Sequence, residues 1–221
     1  MNYYPVFLNT QGRKAVVVGG GRVAERKALS LLKAGADVTV VSPSLTRRLL
    51  KEKSAGTIRH IPRTYRKSDL KGAFLVISAT DSPETNRDVA GNAPSLVNVV
   101  DVPSECNFIA PSVVKRGPLF IAISSSGVSP ALSKTIRMEL EKLYGPEFSE
   151  YLRFIKKIRA RAMSGTMKKS VRERFLKGIG SGKMLKLLRE KGIAAAKDEV
   201  ARRLSVAGKG PGKKQPHREH L

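Results

Sequence analysis

The sequence predicts an α/β fold, a Rossmann-like doubly wound parallel sheet followed by a connecting segment and a small helical domain. Three observations carry this. Short apolar, β-branched runs such as Ala15-Val16-Val17-Val18 and Val38-Thr39-Val40-Val41 recur up to Pro103. Segments with helical spacing separate them, and parallel neighbours need such crossovers. Beyond Tyr144-Gly145-Pro146 the strands give way to basic, helix-like segments.

The first run breaks into Gly19-Gly20-Gly21-Arg22-Val23-Ala24. Gly19 lets the strand turn sharply, Gly21 lets backbone amides approach a pyrophosphate, and the small Ala24 lets the next helix pack near the sheet. That helix runs from Val23 to about Ala34, with Leu29, Leu31 and Leu32 as apolar positions and Gly35 as its stop. Its N-terminus faces the phosphates with partial positive charge. Val38–Val41 is the next buried strand, so residues 14–44 form a complete βαβ unit with a dinucleotide-binding turn. Where a NAD-preferring unit usually carries Asp or Glu, this chain has Ser42-Pro43-Ser44, with Arg47 and Arg48 close enough in sequence to meet a 2'-phosphate. The residues alone leave NAD and NADP open.

Thr57–Ile61 reads as a short strand, Tyr65–Leu70 as a loop and turn, and Phe74–Ala79 as another buried strand ending in Thr80-Asp81-Ser82-Pro83-Glu84. A helix over Pro83–Ala90 has Ser82 as N-cap and proline in its first turn. Leu96–Val100 is a fifth strand closing on Asp101-Val102-Pro103. Ligands of such sheets bind at the carboxyl ends of strands, where the Gly19 turn, the Ser42 turn, Thr80-Asp81 and Asp101 all fall. Asp101 puts a carboxylate, a group able to accept a proton, at one of these strand ends.

Leu119–Ile123 is a further strand, Ser124–Pro130 a serine-glycine loop suited to holding an anion, and Ala131–Leu143 an amphipathic helix. Helices follow over Glu147–Ala162, Lys168–Lys177, Lys183–Leu188 and Asp198–Leu204, with Tyr151, Phe154, Ile155 and Ile158 as core positions.

The 221 residues are 41% hydrophobic, enough for a packed core, and the net charge is +24. Residues 1–143 hold 21 Lys/Arg against 11 Asp/Glu, and residues 144–221 hold 21 against 7. A basic surface attracts polyanions, but 5% aromatic residues, no tryptophan and no recognisable motif argue against nucleic acid. No apolar run reaches the roughly 18 residues that cross a bilayer, and the N-terminus has no leader pattern, so a cytoplasmic location without membrane attachment is expected. One cysteine, Cys106, and three histidines give neither a disulfide nor a spaced metal cluster. Cys106 reads as a small packed residue rather than a nucleophile.

Val18–Lys27, Leu32, Gly35-Ala36, Val38-Thr39-Val40, Ala79-Thr80-Asp81, Asn98–Asp101 and Ser124–Pro130 together resemble the siroheme synthase dehydrogenase family, in order and spacing over roughly residues 1–205. The resemblance implies NAD-dependent oxidation of precorrin-2 to sirohydrochlorin, and in some members insertion of ferrous iron. It implies a homodimer in which Leu119–Leu143 exchanges contacts between subunits. The tetrapyrrole pocket would be framed by the cofactor domain and the helical domain.

Carried onto this chain, the resemblance puts Gly19, Gly21, Arg22 and Val23 around the pyrophosphate and Pro43 with Ser44 along the adenosine ribose. Thr80 and Asp81 close the cofactor site, Asp101 is the catalytic aspartate, and Ser125 borders the tetrapyrrole. Ser126 stands where many relatives carry glycine, which bears on any positive φ the loop requires. Lys134 and Arg137 are candidates for the acetate and propionate groups of precorrin-2. The expected organisation is a NAD-binding domain over 1–113, a dimerisation segment over 114–145, a basic helical domain over 146–206 and a disordered tail over 207–221. The competing readings are a bifunctional enzyme that is also a sirohydrochlorin ferrochelatase, and an NAD-sensing regulatory module.

Overall fold

A computed structural model describes residues 3–208, which divide into two compact units meeting in sequence at Ala110 and Pro111. The first unit is a five-stranded, wholly parallel sheet. Its strands are β1 (Lys14–Val18), β2 (Asp37–Val41), β3 (Ile58–Ile61), β4 (Leu75–Ser78) and β5 (Leu96–Val99), in the order β3-β2-β1-β4-β5. Helices α1 (Arg22–Lys33), α2 (Arg47–Ser54) and α3 (Pro83–Asn92) supply crossovers. The Rossmann-like doubly wound parallel sheet expected from the sequence is therefore present.

Strand periodicity explains why both faces are covered. Ala15 and Val17 point to the layer holding Ala24 and Ala28 of α1 and Leu49 of α2. Val16 and Val18 point to the opposite layer, with Leu70, Ala73 and Val89 of α3. Each strand therefore needs apolar residues at consecutive positions, which is why β1 reads as an unbroken valine run. Burying each such valine contributes about 1.5 kcal/mol or more.

α2 was not expected, because its Arg-Arg-Leu-Leu-Lys-Glu-Lys-Ser sequence offers only Leu49 to the core. It forms because Thr46 caps it, Oγ1 accepting from the Leu49 amide at 3.3 Å. Lys67–Leu70, read as loop, closes a single 3₁₀ turn around the buried Asp69.

The second unit begins with a hairpin of β6 (Ser112–Arg116) and β7 (Leu119–Ile123), antiparallel with Val114 opposite Ile121. β6 escaped the sequence reading because only Val113 and Val114 mark it. α4 (Pro130–Leu143) follows, then α5 (Glu147–Ser164), α6 (Lys169–Ile179) and α7 (Gly182–Gly208). α7 joins the two helices expected at Lys183–Leu188 and Asp198–Leu204 into one element broken at Gly192, whose φ of 76° interrupts the helical backbone. Phe148, Tyr151, Ile158, Phe175, Met184, Leu188 and Val200 form the core of this bundle. Tyr151 spans it, its Oη donating to the Ile179 carbonyl at 2.6 Å, and burial pushes its phenol up to about 12. Of the tail expected over 207–221, Ala207 and Gly208 end α7, and 209–221 lies outside the described residues.

Candidate active site

The carboxyl ends of all five strands lie at one edge of the sheet, and the strand order reverses direction between β1 and β4. A cleft of about 630 Å³ opens there. It is lined by Gly19, Gly20, Gly21, Arg22 and Val23 after β1, by Pro43 and Ser44 after β2, and by Thr80 and Asp81 after β4. The eight residues expected to hold a cofactor thus come together on one cavity. Thr64 and Tyr65, beyond β3, also line it, and nothing in the sequence marked them.

The glycine turn has a physical reason at each position. Gly19 has φ 118° and its Cα faces the Ala79 carbonyl, so a side chain would be strained and would collide. Gly20, the variable position of the motif, is as restricted, because a Cβ there would strike the Ser44 carbonyl and crowd Ser42 Oγ. A Cβ on Gly21 would meet only open space. The turn is therefore pinned on its protein side and open on its cleft side, which is the shape a dinucleotide pyrophosphate fits. Gly21 is also the N-cap of α1 and makes no side-chain cap bond, so the first amides of the helix have no capping oxygen from it. Ala24, wholly buried, occupies the close-packing position.

Ser42, where an acidic ribose reader would stand, is buried and turned inward. Its Oγ donates to the Ser44 carbonyl at 2.7 Å, and its own carbonyl lies 2.9 Å from His60 Nε2. Pro43 and Ser44 remain exposed toward the cleft. Arg47 and Arg48 line a neighbouring depression with Glu25, Lys51 and Glu52, which shares Arg22 and Thr46 with the main cleft. Thr46 Oγ1 donates to Glu25 Oε2 at 2.5 Å, joining the start of α2 to α1.

Thr80 is held from behind. Asn86 of α3 is buried, and its Oδ1 accepts from Thr80 Oγ1 at 2.8 Å and Ser78 Oγ at 2.7 Å. Its Nδ2 donates to the Thr80 carbonyl at 3.0 Å. Sequence reading missed Asn86, although Ser78 and Thr80 on alternate positions of one strand end hinted at a shared polar partner.

Asp101 is exposed at the end of β5 and does not line the cleft. It occupies the third position of a tight turn in which the Val102 amide donates to the Val99 carbonyl at 3.4 Å. Its φ of 62° is left-handed, a conformation that favours glycine and that aspartate tolerates better than most residues. Cys106 packs under this turn as a small residue. Its Sγ accepts from the Val99 amide at 3.1 Å and lies 3.3 Å from the Val102 carbonyl. Lys27 of α1 interacts electrostatically with both Cys106 and Asp101; burial, aided by Arg26, nevertheless lowers its pKa from the ordinary lysine value.

Ser125, Lys134 and Arg137 belong to the second unit. Ser125 Oγ accepts from the Ser129 amide at 2.9 Å, so the serine loop is braced on itself before α4 begins. Ser126 takes a left-handed φ of 52°, a conformation glycine adopts more easily. Lys134 is exposed, and Arg137 pairs with Glu141 one turn along α4 at 2.5 Å. Among the described residues there is no cluster of His, Cys, Asp or Glu suited to a metal ion, and no helix is long and apolar enough to cross a membrane.

Comparison with known proteins agrees with this geometry. Residues 6–112 match the family described as putative NAD(P)-binding, and residues 116–143 match the sirohaem biosynthesis protein central family. The chain is 41% identical over 181 residues to a siroheme synthase of Methylobacillus flagellatus, covering 80% of this chain and 37% of that protein. It is 35% identical over 211 residues to a siroheme synthase of Chromobacterium violaceum, covering 94% and 45%. The chain thus spans less than half the length of these curated relatives. The solved structure of SirC, a precorrin-2 dehydrogenase, superposes with a TM-score of 0.78 at 28% identity, covering 90% of this chain and 100% of that one. From the glycine turn through the serine loop, the chain is thus similar to the siroheme synthases and to SirC, as the sequence motifs led one to expect.

Proposed function

We propose that this protein is a precorrin-2 dehydrogenase that oxidises precorrin-2 to sirohydrochlorin with NAD, in the cytoplasm. The observation that carries the reading is the cleft itself: a turn pinned by Ala79 and Ser44, open at Gly21, and facing Pro43, Ser44, Thr80 and Asp81 across the switch point. Gly19, Gly21, Arg22 and Val23 hold the pyrophosphate, and Pro43 with Ser44 lie along the adenosine ribose. The oxidised nicotinamide supplies a hydride acceptor when bound. Arg47 and Arg48 line the neighbouring depression rather than this cleft, which favours NAD over NADP.

Loss of two hydrogens from precorrin-2 sends one away as hydride and one as a proton. Asp101 accepts the proton, its exposure and fixed turn keeping a carboxylate presented beyond β5. Ser125 borders the tetrapyrrole, and Lys134 and Arg137 contact its carboxylates, with Lys134 unencumbered by any ion pair among the described residues and Arg137 shared with Glu141. Exposed Phe120, Val128, Leu132, Met138 and Leu143 support a homodimer built on residues 114–145. Sedimentation at micromolar concentration checks it, a monomer refuting that part.

The direct test is anaerobic absorbance spectroscopy of precorrin-2 with the full chain and NAD, then NADP. Sirohydrochlorin forming at a higher kcat/KM with NAD is the expected result, and no turnover with either cofactor refutes the reading. The siroheme synthase names of the relatives favour one further arm, iron insertion into sirohydrochlorin. Ferrous iron added without NAD tests it, and unchanged sirohydrochlorin spectra refute it.

A further inference from the structure

Asn86 does not line the cleft, yet its amide reaches three different atoms of one residue that does. The chemistry of those atoms fixes which way the amide points. The Thr80 carbonyl can only accept, so the atom 3.0 Å from it is Nδ2. The Thr80 amide can only donate, so the atom 3.4 Å from it is Oδ1.

That orientation dictates the direction of the remaining bonds. Oδ1 and the Ser82 carbonyl, 2.8 Å and 3.2 Å from Thr80 Oγ1, are both acceptors, so the hydroxyl spends its single hydrogen within the protein, on the nearer Asn86. The Ser82 amide donates to the same hydroxyl at 3.2 Å. Thr80 Oγ1 is left with one lone pair and no hydrogen for a ligand. Ser78 Oγ also donates to Oδ1, at 2.7 Å, which leaves Asn86 no freedom to flip without orphaning buried groups.

We propose that Asn86 is a positioning residue that fixes Thr80 as a hydrogen-bond acceptor toward the cleft, so that this point selects a ligand group carrying an O–H or N–H. The adenosine side of the cleft is the one bordered by β2, so Thr80, beyond β4, meets the other half of the dinucleotide. A ribose hydroxyl or the carboxamide N–H of that half is the complementary donor. The inference rests on the reading of the cleft as a nicotinamide dinucleotide site, and it adds which half Thr80 reads and with what polarity.

Calorimetric titration of the full chain with NAD and, separately, with ADP tests it, because ADP lacks the nicotinamide half. Thr80→Val keeps the side-chain shape and removes the hydroxyl, and Asn86→Asp keeps the shape and replaces the Nδ2 donor by an oxygen facing the Thr80 carbonyl. Each is expected to weaken NAD about tenfold while changing ADP less than about twofold, and the double variant to be no more than about twofold worse than either single one. NAD binding within twofold of wild type in Thr80→Val overturns the proposal even if Asn86→Asp fails to fold. Equal losses for NAD and ADP overturn it too, since they mark a general role in folding. Wild-type protein that binds neither ligand overturns the dinucleotide reading itself, a pattern none of the variant outcomes produces.

Discussion

Gly19 and Ala79 approach so closely across the switch point that the Cα of one faces the carbonyl oxygen of the other with no room for a methyl group. With φ at 118°, Gly19→Ala combines backbone strain with a collision, and Gly20→Ala adds a clash with the Ser44 carbonyl. Each is expected to cost about 2 kcal/mol or more of stability and to reduce NAD affinity by about tenfold or more. Gly21→Ala, facing open space, should fold like wild type and lose only NAD affinity. Thermal denaturation alongside NAD titration checks the three together. A destabilised Gly21→Ala would refute the assignment of that position to the ligand.

Asp101 carries two separable roles, one chemical and one conformational. Asp101→Ala and Asp101→Gly are both expected to bind NAD and to lose precorrin-2 oxidation by about a hundredfold or more. They should differ in stability, because only glycine adopts the left-handed φ of 62° without penalty. The glycine variant should be the more stable by about 1 kcal/mol. Wild-type turnover in either variant removes Asp101 from the reaction, and equal melting temperatures remove the strain.

How far the sequence revealed this arrangement depended on the kind of signal each part left. β1, β2, β4 and β5 were legible because a sheet covered on both faces demands consecutive apolar residues. α2 was not, since a short helix held by the Thr46 cap and one buried leucine leaves no periodic pattern. The cleft residues followed from the glycine turn and from the rule that ligands meet strand ends. Gly20, Ser42 and Asn86 did not, because their roles lie in contacts between loops distant in sequence. Gly20 reads as a variable motif position until the Ser44 carbonyl is placed beside it. The family resemblance named Asp101, and only the structure showed its left-handed turn.

The buried carboxylate of Asp69 gives the first unit a defined acid sensitivity. Hydrogen bonding from the Arg63 guanidinium, at 2.6 Å and 2.8 Å, is the main cause of a pKa below the usual aspartate value, with the Arg66 amide adding to it. The folded pKa lies below the unfolded one, so the stabilisation is complete above about 3.9 and fades as pH falls through the depressed value. Asp69→Asn should lower stability at pH 7 by about 2 kcal/mol, with the gap to wild type closing below about pH 4. Urea titrations across that range measure it, and a gap independent of pH refutes the ionic origin.

Lys134 and Arg137 lie one turn apart on α4 but are not equivalent, because Arg137 already bonds Glu141 while Lys134 is exposed. A substrate carboxylate gains more from a cation it need not detach from a neighbour. Lys134→Ala should therefore raise KM for precorrin-2 more than Arg137→Ala does, by about threefold or more against less than about twofold. Arg137→Ala should also cost a few tenths of a kcal/mol of α4 stability through the lost pair, which Lys134→Ala should not. The Lys134 effect should shrink as salt rises, since screening weakens an exposed ion pair. If both variants leave KM unchanged from low to high salt, this face of α4 takes no part in holding the substrate's carboxylates.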